Sequence, residues 1–589
     1  MTIADVALQL PQSDIRVVLG ARHVGVGAFL SAIKMFDLLT VRLGNRPDLG
    51  DPLRTPELVL VLRVPGSFKS YLGEEMLPTM DGYRIGCAEI DHCLGSATNL
   101  RLARHWLDGC MKSHTSCGAT TRPPRLPTRV VDVMASSPRL VHSKEVNANG
   151  PDTGCGHYVA LSHCWGGPIK TLLLSTTMAD FLEALPSAAD IPANFRDAMA
   201  ITRALGIRYL WIDSLCIVQD SVLDWRRESK QMAEVYGRAT VSLMAMASAA
   251  SYTGILVGAN NIGSRTSNDV DDVIVPFEVD SPHGAASHIA NFKVDLIHQD
   301  NECLRILSEK SPLSVRGWCL QELIFSYRVL YFGNDQIYWK CPEGGHKSAE
   351  GLPDGNMYIN HRHPQIYMDL YTDAGSDERS HDGLPADEEN DADKILSSFH
   401  DFVVSYTQRQ LSFGTDKFPA VSSFALQVYN ALEKLRRADP VMKENVYIAG
   451  IWSGDFRRGL LFCPDGMHSP HVTREAEAEY RAPSWSWAIT DAPLTILSPP
   501  KVSDKPTSSL NLELVSWDTV LRDPNNAFGA VDYAHLIVKG QICSLRSRNV
   551  PFIGAYTWDR GAEEGTAWFD DAPTGIKRTT TAGLRRMCI

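Results

Sequence analysis

The sequence predicts an α/β protein whose core is a sheet of parallel strands, and three observations carry this prediction. Residues 158–162 and 207–213 are short apolar runs with the composition of strands that are buried on both faces. Between them, apolar residues recur at helical spacing from 195 to 205, and Gly206 is a natural residue to end that helix. A third apolar run, at 240–246, follows another helical pattern. Strands that are joined through helices run parallel, so we expect these three to be neighbours in one sheet.

The residues before this core predict a lead-in region that mixes helices and strands. An apolar run at 58–64 predicts a strand, and the apolar spacing between 100 and 107 predicts a helix. After a proline-rich linker, residues 129–133 and 139–142 predict two further strands that lead into the core.

Downstream of the second core strand, the sequence predicts two more helices. Asp224 is a reasonable N-cap for a helix whose apolar stripe includes Trp225 and Tyr236. Residues 318–326 predict the other helix, and a strand that ends at Phe332 follows it.

The composition of the chain changes after these elements. Acidic residues dominate 372–393, and such a stretch cannot bury enough apolar area to fold, which predicts a disordered linker. Residues 394–437 predict helices with a break at Phe418 and Pro419, and the short aromatic runs beyond 446 predict strands. The predicted organisation is a lead-in region at 1–150, a core domain at 151–340, an acidic linker at 341–393 and a C-terminal mixed α/β region at 394–589.

Composition excludes several classes of partner. The chain has 589 residues, a formal net charge of −12 and no basic block, which argues against a nucleic-acid or anionic-membrane surface. Its first residues do not read as a signal peptide, and no apolar run is long enough to span a bilayer. The 13 cysteines are scattered and odd in number, which favours reduced thiols over disulfides. We therefore expect a cytoplasmic protein with no nucleic-acid or membrane partner.

Cysteine and histidine residues cluster at the end of the helix predicted near residue 107. Cys110, His114 and Cys117 are residue types that bind zinc, and the fourth ligand would come from Cys87, His92 or Cys93. The spacing C-x3-H-x2-C is not that of a common zinc module, and soft side chains at a helix end also pack under a following strand. The sequence favours this packing role, so no metal and no bound cofactor are predicted.

Polar and aromatic residues follow the first two core strands at the point where each strand ends. They are Ser162, His163, Trp165, Trp211, Asp213 and Cys216. The carboxyl ends of neighbouring parallel strands meet at one edge of a sheet, and ligands of open α/β sheets bind there. The sequence therefore predicts a ligand crevice at this edge.

Each of these residues also has a structural interpretation, and the sequence leaves both open. In the structural interpretation, Asp213 caps the following turn by accepting hydrogen bonds from backbone N–H groups. In the functional interpretation, it binds ligand hydroxyls or polarises His163. Cys216 and His163 either form a thiolate–imidazole pair or pack as core residues, which is the commoner case. Trp165 and Trp211 are either core residues or platforms on which a ligand ring stacks.

Four sequence blocks between about residues 155 and 335 carry a resemblance to a known family. They read YVALSHCWGG, LWIDSLCIVQD, WRRESKQMAEVYGRATVSLMAMASAAS and RGWCLQELIFSYRVLYF. In this order they resemble the heterokaryon incompatibility (HET) domain of filamentous fungi. The flanking pieces HWLDGCMKSHTSC, LPTRVVDV and APSWSWA resemble regions that often accompany it. His163 departs from the family, which often has Tyr there, and of the two only His titrates near neutral pH.

The resemblance implies a fold, a biological role and a catalytic residue. HET-domain proteins are commonly linked to non-self recognition and cell death, and their domain is thought to be similar to the Toll/interleukin-1 receptor (TIR) domain, a doubly wound parallel sheet. Enzymatic TIR domains cleave nicotinamide from NAD with a Glu in a motif like W-C-x-x-E-L. Residues 318–323 read WCLQEL and resemble this motif, which implies Glu322 as the catalytic carboxylate, with Asp213 and His163 lining the same cleft. The structural alternative for Glu322 is an ion pair with Arg316 or Arg328.

Three functions follow from this reading. The first is cleavage of NAD or a related nucleotide, as substrate, at a site that includes Ser162, His163, Asp213 and Glu322. The second is a non-catalytic signalling module that assembles through contacts between copies of the chain. The third is a HET-fold enzyme acting on a small metabolite in secondary metabolism. All three share one predicted fold class, α/β with a TIR-like doubly wound parallel sheet core, an N-terminal α/β lead-in and a C-terminal mixed α+β region.

Overall fold

Eight strands form the central sheet of the protein, which is described from a computed structural model. They are β1 (Arg129–Asp132), β2 (Arg139–His142), β3 (Tyr158–Ser162), β4 (Tyr209–Trp211), β5 (Val241–Ala245), β6 (Val329–Phe332), β7 (Ile337–Cys341) and β8 (Gly345–Ser348). Their order across the sheet is β8-β7-β6-β5-β3-β4-β1-β2. The four strands β4, β3, β5 and β6 are parallel, and the flanking pairs are antiparallel.

The described part of the chain consists of several segments. These are residues 85–115, 117, 123–148, 150–256, 302–350, 391–439, 441–464, 480–496 and 512–539, together with strand segments at 15–20, 35–36, 38–43, 57–65, 79–80, 83–84, 274–279, 288–296, 555–560 and 563–568. The polar composition from Thr574 onward predicts a frayed C-terminus. That segment and most of the predicted acidic linker lie outside the described residues.

The described part of the chain also contains α-helices. They are α1 (Ala97–Ser113), α2 (Met178–Glu183), α3 (Ala193–Ala204), α4 (Asp213–Cys216), α5 (Val222–Ser229), α6 (Met232–Arg238), α7 (Leu304–Lys310), α8 (Gly317–Phe325), α9 (Asp391–Thr407), α10 (Pro419–Ala438) and α11 (Phe456–Gly459). Among the described helices, none has both the length and the apolar character needed to cross a bilayer.

The remaining strands form smaller sheets. One combines Ile15–Gly20, Leu38–Leu43, Glu57–Val64, Cys87–Ala88, Ile274–Val279 and His288–Leu296; a second combines Met35–Phe36, Thr79–Met80 and Tyr83–Ile85. Four pairs follow along the chain: Tyr447–Ile448 with Ile451–Trp452, Phe462–Pro464 with Leu494–Ile496, Glu513–Leu521 with Val531–Lys539, and Ala555–Arg560 with Glu563–Trp568.

The prediction that three core strands are parallel neighbours is confirmed. Strand β3 pairs in parallel with β4 on one side and with β5 on the other. The chain therefore adds β4 on one side of β3, and it then adds β5 and β6 on the other side. If the four parallel strands are numbered by their order in the chain, their order across the sheet is 2-1-3-4. This reversal makes a topological switch point between β3 and β5, which is where open α/β sheets bind their ligands.

Burial explains why these runs are strands. All five residues of β3 and all five of β5 are buried, as expected for strands covered on both faces. The crossover helix α3 packs its apolar residues, including Phe195 and Ala198, into the core. Gly206 follows α3 with φ of +69°, a left-handed conformation that favours glycine, so the helix ends where the sequence predicts.

Two predicted boundaries were wrong in detail, and local hydrogen bonding explains both. The second core strand ends at Trp211, because Asp213 begins the short helix α4 instead of ending the strand. The cap of α5 is Ser221, whose hydroxyl accepts from the Asp224 N–H at 3.2 Å; Asp224 lies inside the first turn.

Two segments beyond the core also differ from the sequence-based description. The first residues of the predicted linker form the end of β7 and all of β8, and 391–393 form the first turn of α9. The helical region breaks over residues 408–418 rather than only at Phe418 and Pro419, because α9 ends at Thr407 and Pro419 is the first residue of α10.

The described contacts divide the chain into two compact units that interleave in sequence. Unit 1 comprises residues 1–220, 238–313 and 326–360, and unit 2 comprises 221–237, 314–325 and 361–589. Unit 1 contains the central sheet. Unit 2 contains α8, α9 and α10, with Phe402 and Phe424 stacked at 4.2 Å between ring centroids in its core.

Candidate functional site

The loops that follow β3 and β5 meet at the carboxyl edge of the parallel strands. The carbonyl oxygen of Trp165 accepts a hydrogen bond from the Ser251 N–H at 3.0 Å. Gly166, at φ of +67°, approaches the same loop so closely that a Cβ placed on it would lie 2.2 Å from the Cβ of Ala250. Only glycine fits there without a shift of the backbone, so the turn-forming residues after β3 allow the two loops to pack together.

Asn194, near the start of α3, ties the loop after β5 to the crossover helix. Its Oδ1 atom accepts from the Ser248 hydroxyl and from the Gly254 N–H, both at 2.9 Å. Its backbone N–H donates to the Ser251 carbonyl at 2.9 Å. Its buried Nδ2 atom has no hydrogen-bond partner among the described residues. The side chain therefore anchors the loop after β5 to the start of α3 and retains an amide donor.

Asp213 and Trp165 are brought together, as the crossover rule predicts. The Trp165 Nε1–H donates to Asp213 Oδ2 at 2.9 Å, and the Ser214 N–H donates to Asp213 Oδ1 at 2.7 Å. The Asp213 carbonyl accepts from the Ile217 N–H at 2.9 Å, which closes the turn of α4. Both side chains are half-buried. Asp213 therefore acts as a local cap and anchors the indole at the sheet edge.

The other predicted residues of this edge are packed inside unit 1. His163 is 3% exposed, and its imidazole packs edge-on against the Phe195 ring at 5.2 Å between centroids. Ser162, Trp211 and Cys216 are each at most 1% exposed. The Cys216 carbonyl accepts from the Arg129 guanidinium at 2.7 Å. In this conformation, Trp165 and Asp213 are the members of the predicted set that present surface at the edge.

Glu322 lies in unit 2, on α8. It is 7% exposed, and α8 is held by the Gly317 N–H, which donates to the Gln410 carbonyl at 2.8 Å. Burial lowers the pKa of the Arg409 guanidinium, and the nearby Cys319 and Glu322 act in the opposite direction. Arg409 is thus a described electrostatic partner of Glu322. That Glu322 lines one cleft with Asp213 and His163 stays a prediction.

Sequence reasoning missed two residues of the sheet edge. The first is Asn194. The sequence feature that could have indicated it is a polar Asn in the first turn of the helix that connects β3 to β4. Tyr252 is the other: it is 49% exposed, and its hydroxyl accepts from the Lys170 N–H at 3.1 Å. An exposed aromatic ring in the loop after a buried parallel strand can contact a ligand bound at that edge of the sheet.

Comparison with known families gives a match to this part of the chain. Residues 158–322 match the family of the heterokaryon incompatibility protein (HET). This segment of the chain is a HET domain. The match begins at the first residue of β3 and ends at Glu322, so it includes the switch point of the sheet and most of α8. No curated protein and no solved structure matches the chain.

The bond between Trp165 and Asp213 gives a test of the site's local structure. Trp165→Phe removes the indole donor, and Asp213→Ala removes the acceptor. A hydrogen bond to a charged group stabilises a protein by about 1.5–3 kcal/mol when it is shielded from water, and by less when it is half-exposed. We expect a double-mutant cycle on the free energy of unfolding in urea to give a coupling of about 1 kcal/mol.

The matched control pairs Trp165→Phe with Asp220→Ala, an exposed acid that accepts from Ser175 instead. These two changes should add to within about 0.3–0.5 kcal/mol. If the free-energy changes also add in the cycle of Trp165 with Asp213, the indole–carboxylate bond does not form in solution.

Proposed function

We propose that this HET-domain protein acts in non-self recognition of the heterokaryon incompatibility type by cleaving nicotinamide from NAD or a related nucleotide. The observation that supports it best is the reversal of strand order between β3 and β5, with aromatic and polar side chains at the carboxyl ends of these strands. A TIR-like core would have parallel strands with a reversal of this kind, and ligands of open α/β sheets bind at such a switch point.

The residues of this edge have groups suited to a dinucleotide. Trp165 and Tyr252 offer aromatic faces for a base or a nicotinamide ring, and Trp165 is held in place by Asp213. The Asn194 amide is a donor for a phosphate or ribose oxygen once the loops open. The acidic residue of the WCLQEL motif, Glu322, is proposed to supply the negative charge that the reaction needs.

The chemistry requires stabilisation of a cation. The bond between the ribose C1′ atom and the nicotinamide nitrogen breaks with its electron pair going to the nitrogen, which leaves neutral nicotinamide and an oxocarbenium-like ribose. Water then adds to C1′ and loses a proton, so the products are nicotinamide, ADP-ribose and a proton. A carboxylate beside C1′ stabilises the developing positive charge, and it does so most effectively where water is excluded.

The test is to incubate the purified full-length chain with NAD and to quantify free nicotinamide by liquid chromatography. The proposal predicts nicotinamide and ADP-ribose in equal amounts, increasing with time and with protein concentration. NADP and nicotinic acid adenine dinucleotide, tested in parallel, define the range of nucleotides accepted. If none of the three is cleaved at high protein concentration, either alone or in cell extract, the proposed activity is wrong.

A second candidate function is non-catalytic, and the packing of the edge favours it specifically. Ser162, Trp211 and Cys216 are buried, and both carboxylate oxygens of Asp213 accept hydrogen bonds from within the chain. Residues that are buried or hydrogen-bonded within the chain suit a structural role, as expected for a module that signals by assembling with copies of itself. Sedimentation of the wild type across a range of concentrations, with and without NAD, would show such assembly in the absence of nucleotide cleavage.

A further inference from the structure

We propose that Cys110, His114, Cys117 and Cys341 form a binding site for a structural zinc ion. Their three sulfur atoms and one imidazole nitrogen all lie within 4.8 Å of one another. The three cysteines are buried and His114 is half-buried. All four belong to unit 1. The inference does not depend on the proposed activity at the sheet edge, since it concerns a different set of residues.

Two elements of the fold bring these residues together. Helix α1 is capped at its start by Ser96, whose hydroxyl accepts from the Asn99 N–H, and it ends at Ser113. Cys110 and His114 are four residues apart at this end and so lie on one face. Cys117 follows in the next turn, and Cys341 is the last residue of β7. The set joins the lead-in region before the HET match to the hairpin after it.

The distances fit a tetrahedral zinc site. The Nδ1 atom of His114 lies 3.4 Å from the Cys341 sulfur and 3.6 Å from the Cys117 sulfur. Zinc–sulfur bonds of about 2.3 Å and zinc–nitrogen bonds of about 2.0–2.1 Å place a sulfur and a nitrogen ligand ~3.5 Å apart in tetrahedral geometry. The imidazole is therefore already oriented with Nδ1 where a ligand atom would be.

Backbone groups around the cluster are arranged to stabilise thiolates. The Gly344 N–H donates to the Cys341 sulfur at 3.2 Å, and the Glu343 N–H donates to the Cys117 sulfur at 3.5 Å. Donors of this kind are the outer shell that orients and tunes metal-binding cysteines.

The turn after β7 also fits the imidazole closely. A Cβ placed on Gly344 would lie 2.6 Å from the His114 Cε1 atom and 2.9 Å from the Cys341 sulfur. Glycine at this position therefore leaves the room that the imidazole and the thiolate need.

Arg328 balances the charge that such a site would carry. Zinc with three thiolates and a neutral imidazole leaves one net negative charge, which is costly to bury without a partner. Arg328 is 7% exposed, its Nε–H donates to the Cys110 sulfur at 3.2 Å, and its Nη2–H donates to the Cys117 carbonyl at 2.6 Å. The guanidinium is thus in direct contact with the thiolate cluster.

The ligand set selects zinc, and the geometry identifies the fourth ligand. Three thiolates and an imidazole in a closed tetrahedral arrangement are typical of structural zinc, whereas magnesium and calcium take oxygen ligands. None of the sequence-based candidates for the fourth position belongs to the cluster: the Cys87 thiol donates to the Leu62 carbonyl at 3.3 Å, and His92 and Cys93 are exposed. Cys341 replaces them, against the sequence-based preference for simple packing.

The first experiment measures zinc in the untagged full-length chain, purified without chelators, by inductively coupled plasma mass spectrometry. We expect about one zinc per chain in the wild type and loss of that zinc in Cys341→Ser and in His114→Ala. Cys93→Ser is the matched control, because it removes a nearby exposed cysteine and should retain the metal. Wild-type protein that contains far less than one zinc after purification from zinc-supplemented cells would overturn the proposal.

A second measurement covers the case in which the variants do not fold. Zinc is replaced by cobalt in the folded wild type, and the visible spectrum reports on coordination. The proposal predicts intense d–d bands of tetrahedral cobalt and a thiolate-to-cobalt charge-transfer band, which Cys93→Ser keeps. A weak octahedral spectrum, or a metal content of iron instead of zinc, would contradict the assignment.

Discussion

Replacing Glu322 with Gln is expected to lower the rate of nicotinamide release from NAD by about 100-fold or more. The substitution keeps the volume of the side chain and its hydrogen-bonding atoms but removes the negative charge. Loss of one preorganised electrostatic group at a developing charge costs on the order of 10²–10³ in rate. Initial rates of nicotinamide release, normalised to the folded fraction of each preparation, measure the effect.

The matched control is Glu444→Gln, which makes the same chemical change at an exposed position of unit 2 and should leave the rate unchanged. The structural alternative predicts a different outcome. If Glu322 only balances the charge of Arg409, Glu322→Gln lowers the melting temperature but leaves the activity per folded molecule at the wild-type value. An active and destabilised Glu322→Gln protein would therefore remove Glu322 from the reaction without excluding the activity itself.

Removal of zinc is expected to have the largest effect on stability. A metal that binds the folded chain alone stabilises it by about 4 kcal/mol when its free concentration is 1,000 times its dissociation constant. Treatment with a strong chelator should lower the free energy of unfolding of the wild type by about this amount, and added zinc should restore it. Thermal unfolding followed by circular dichroism, with and without chelator, measures the change.

Two variants make this stability test specific to the cluster. Cys341→Ser should begin at the lower stability and show no response to chelator, because its site is already broken. Cys93→Ser should respond as the wild type does. A wild type whose unfolding is the same with and without chelator would show that zinc does not stabilise this fold.

Local sequence patterns predicted the parallel core well. The strands of the core and the crossover helix α3 follow from apolar runs, helical spacing and the glycine at 206, which are properties of neighbouring residues. Chain connectivity then determined that β3, β4 and β5 run parallel. It did not determine that β3 lies between β4 and β5, because other orders of the three strands also satisfy the crossover rule.

Long-range contacts account for what the sequence did not predict. Cys341 joins Cys110, His114 and Cys117 only because β7 ends beside the C-terminal end of α1, and no local spacing encodes that proximity. The segment CPEGG after β7 carried a usable signal, since a cysteine followed by proline and two glycines can direct backbone N–H groups at its sulfur. Membership of α8 in unit 2 likewise depends on its packing with α9 and α10.

The candidate site was predicted in part, for a related physical reason. The pairing of Trp165 with Asp213 follows from the topology of two adjacent parallel strands. The burial of Ser162 and Trp211 does not, because successive side chains of a strand alternate between the two faces of the sheet. Cys216 lies beyond the strand, in the short helix α4, and is buried there. The role of Asn194 depends on contacts with a loop more than 50 residues away in sequence.

The most direct test of the proposed function is a crystal structure of the full-length chain with ADP-ribose bound. The account predicts that the ligand lies at the carboxyl ends of β3 and β5, with an aromatic contact from Trp165 or Tyr252. A ligand bound elsewhere in the chain would contradict it.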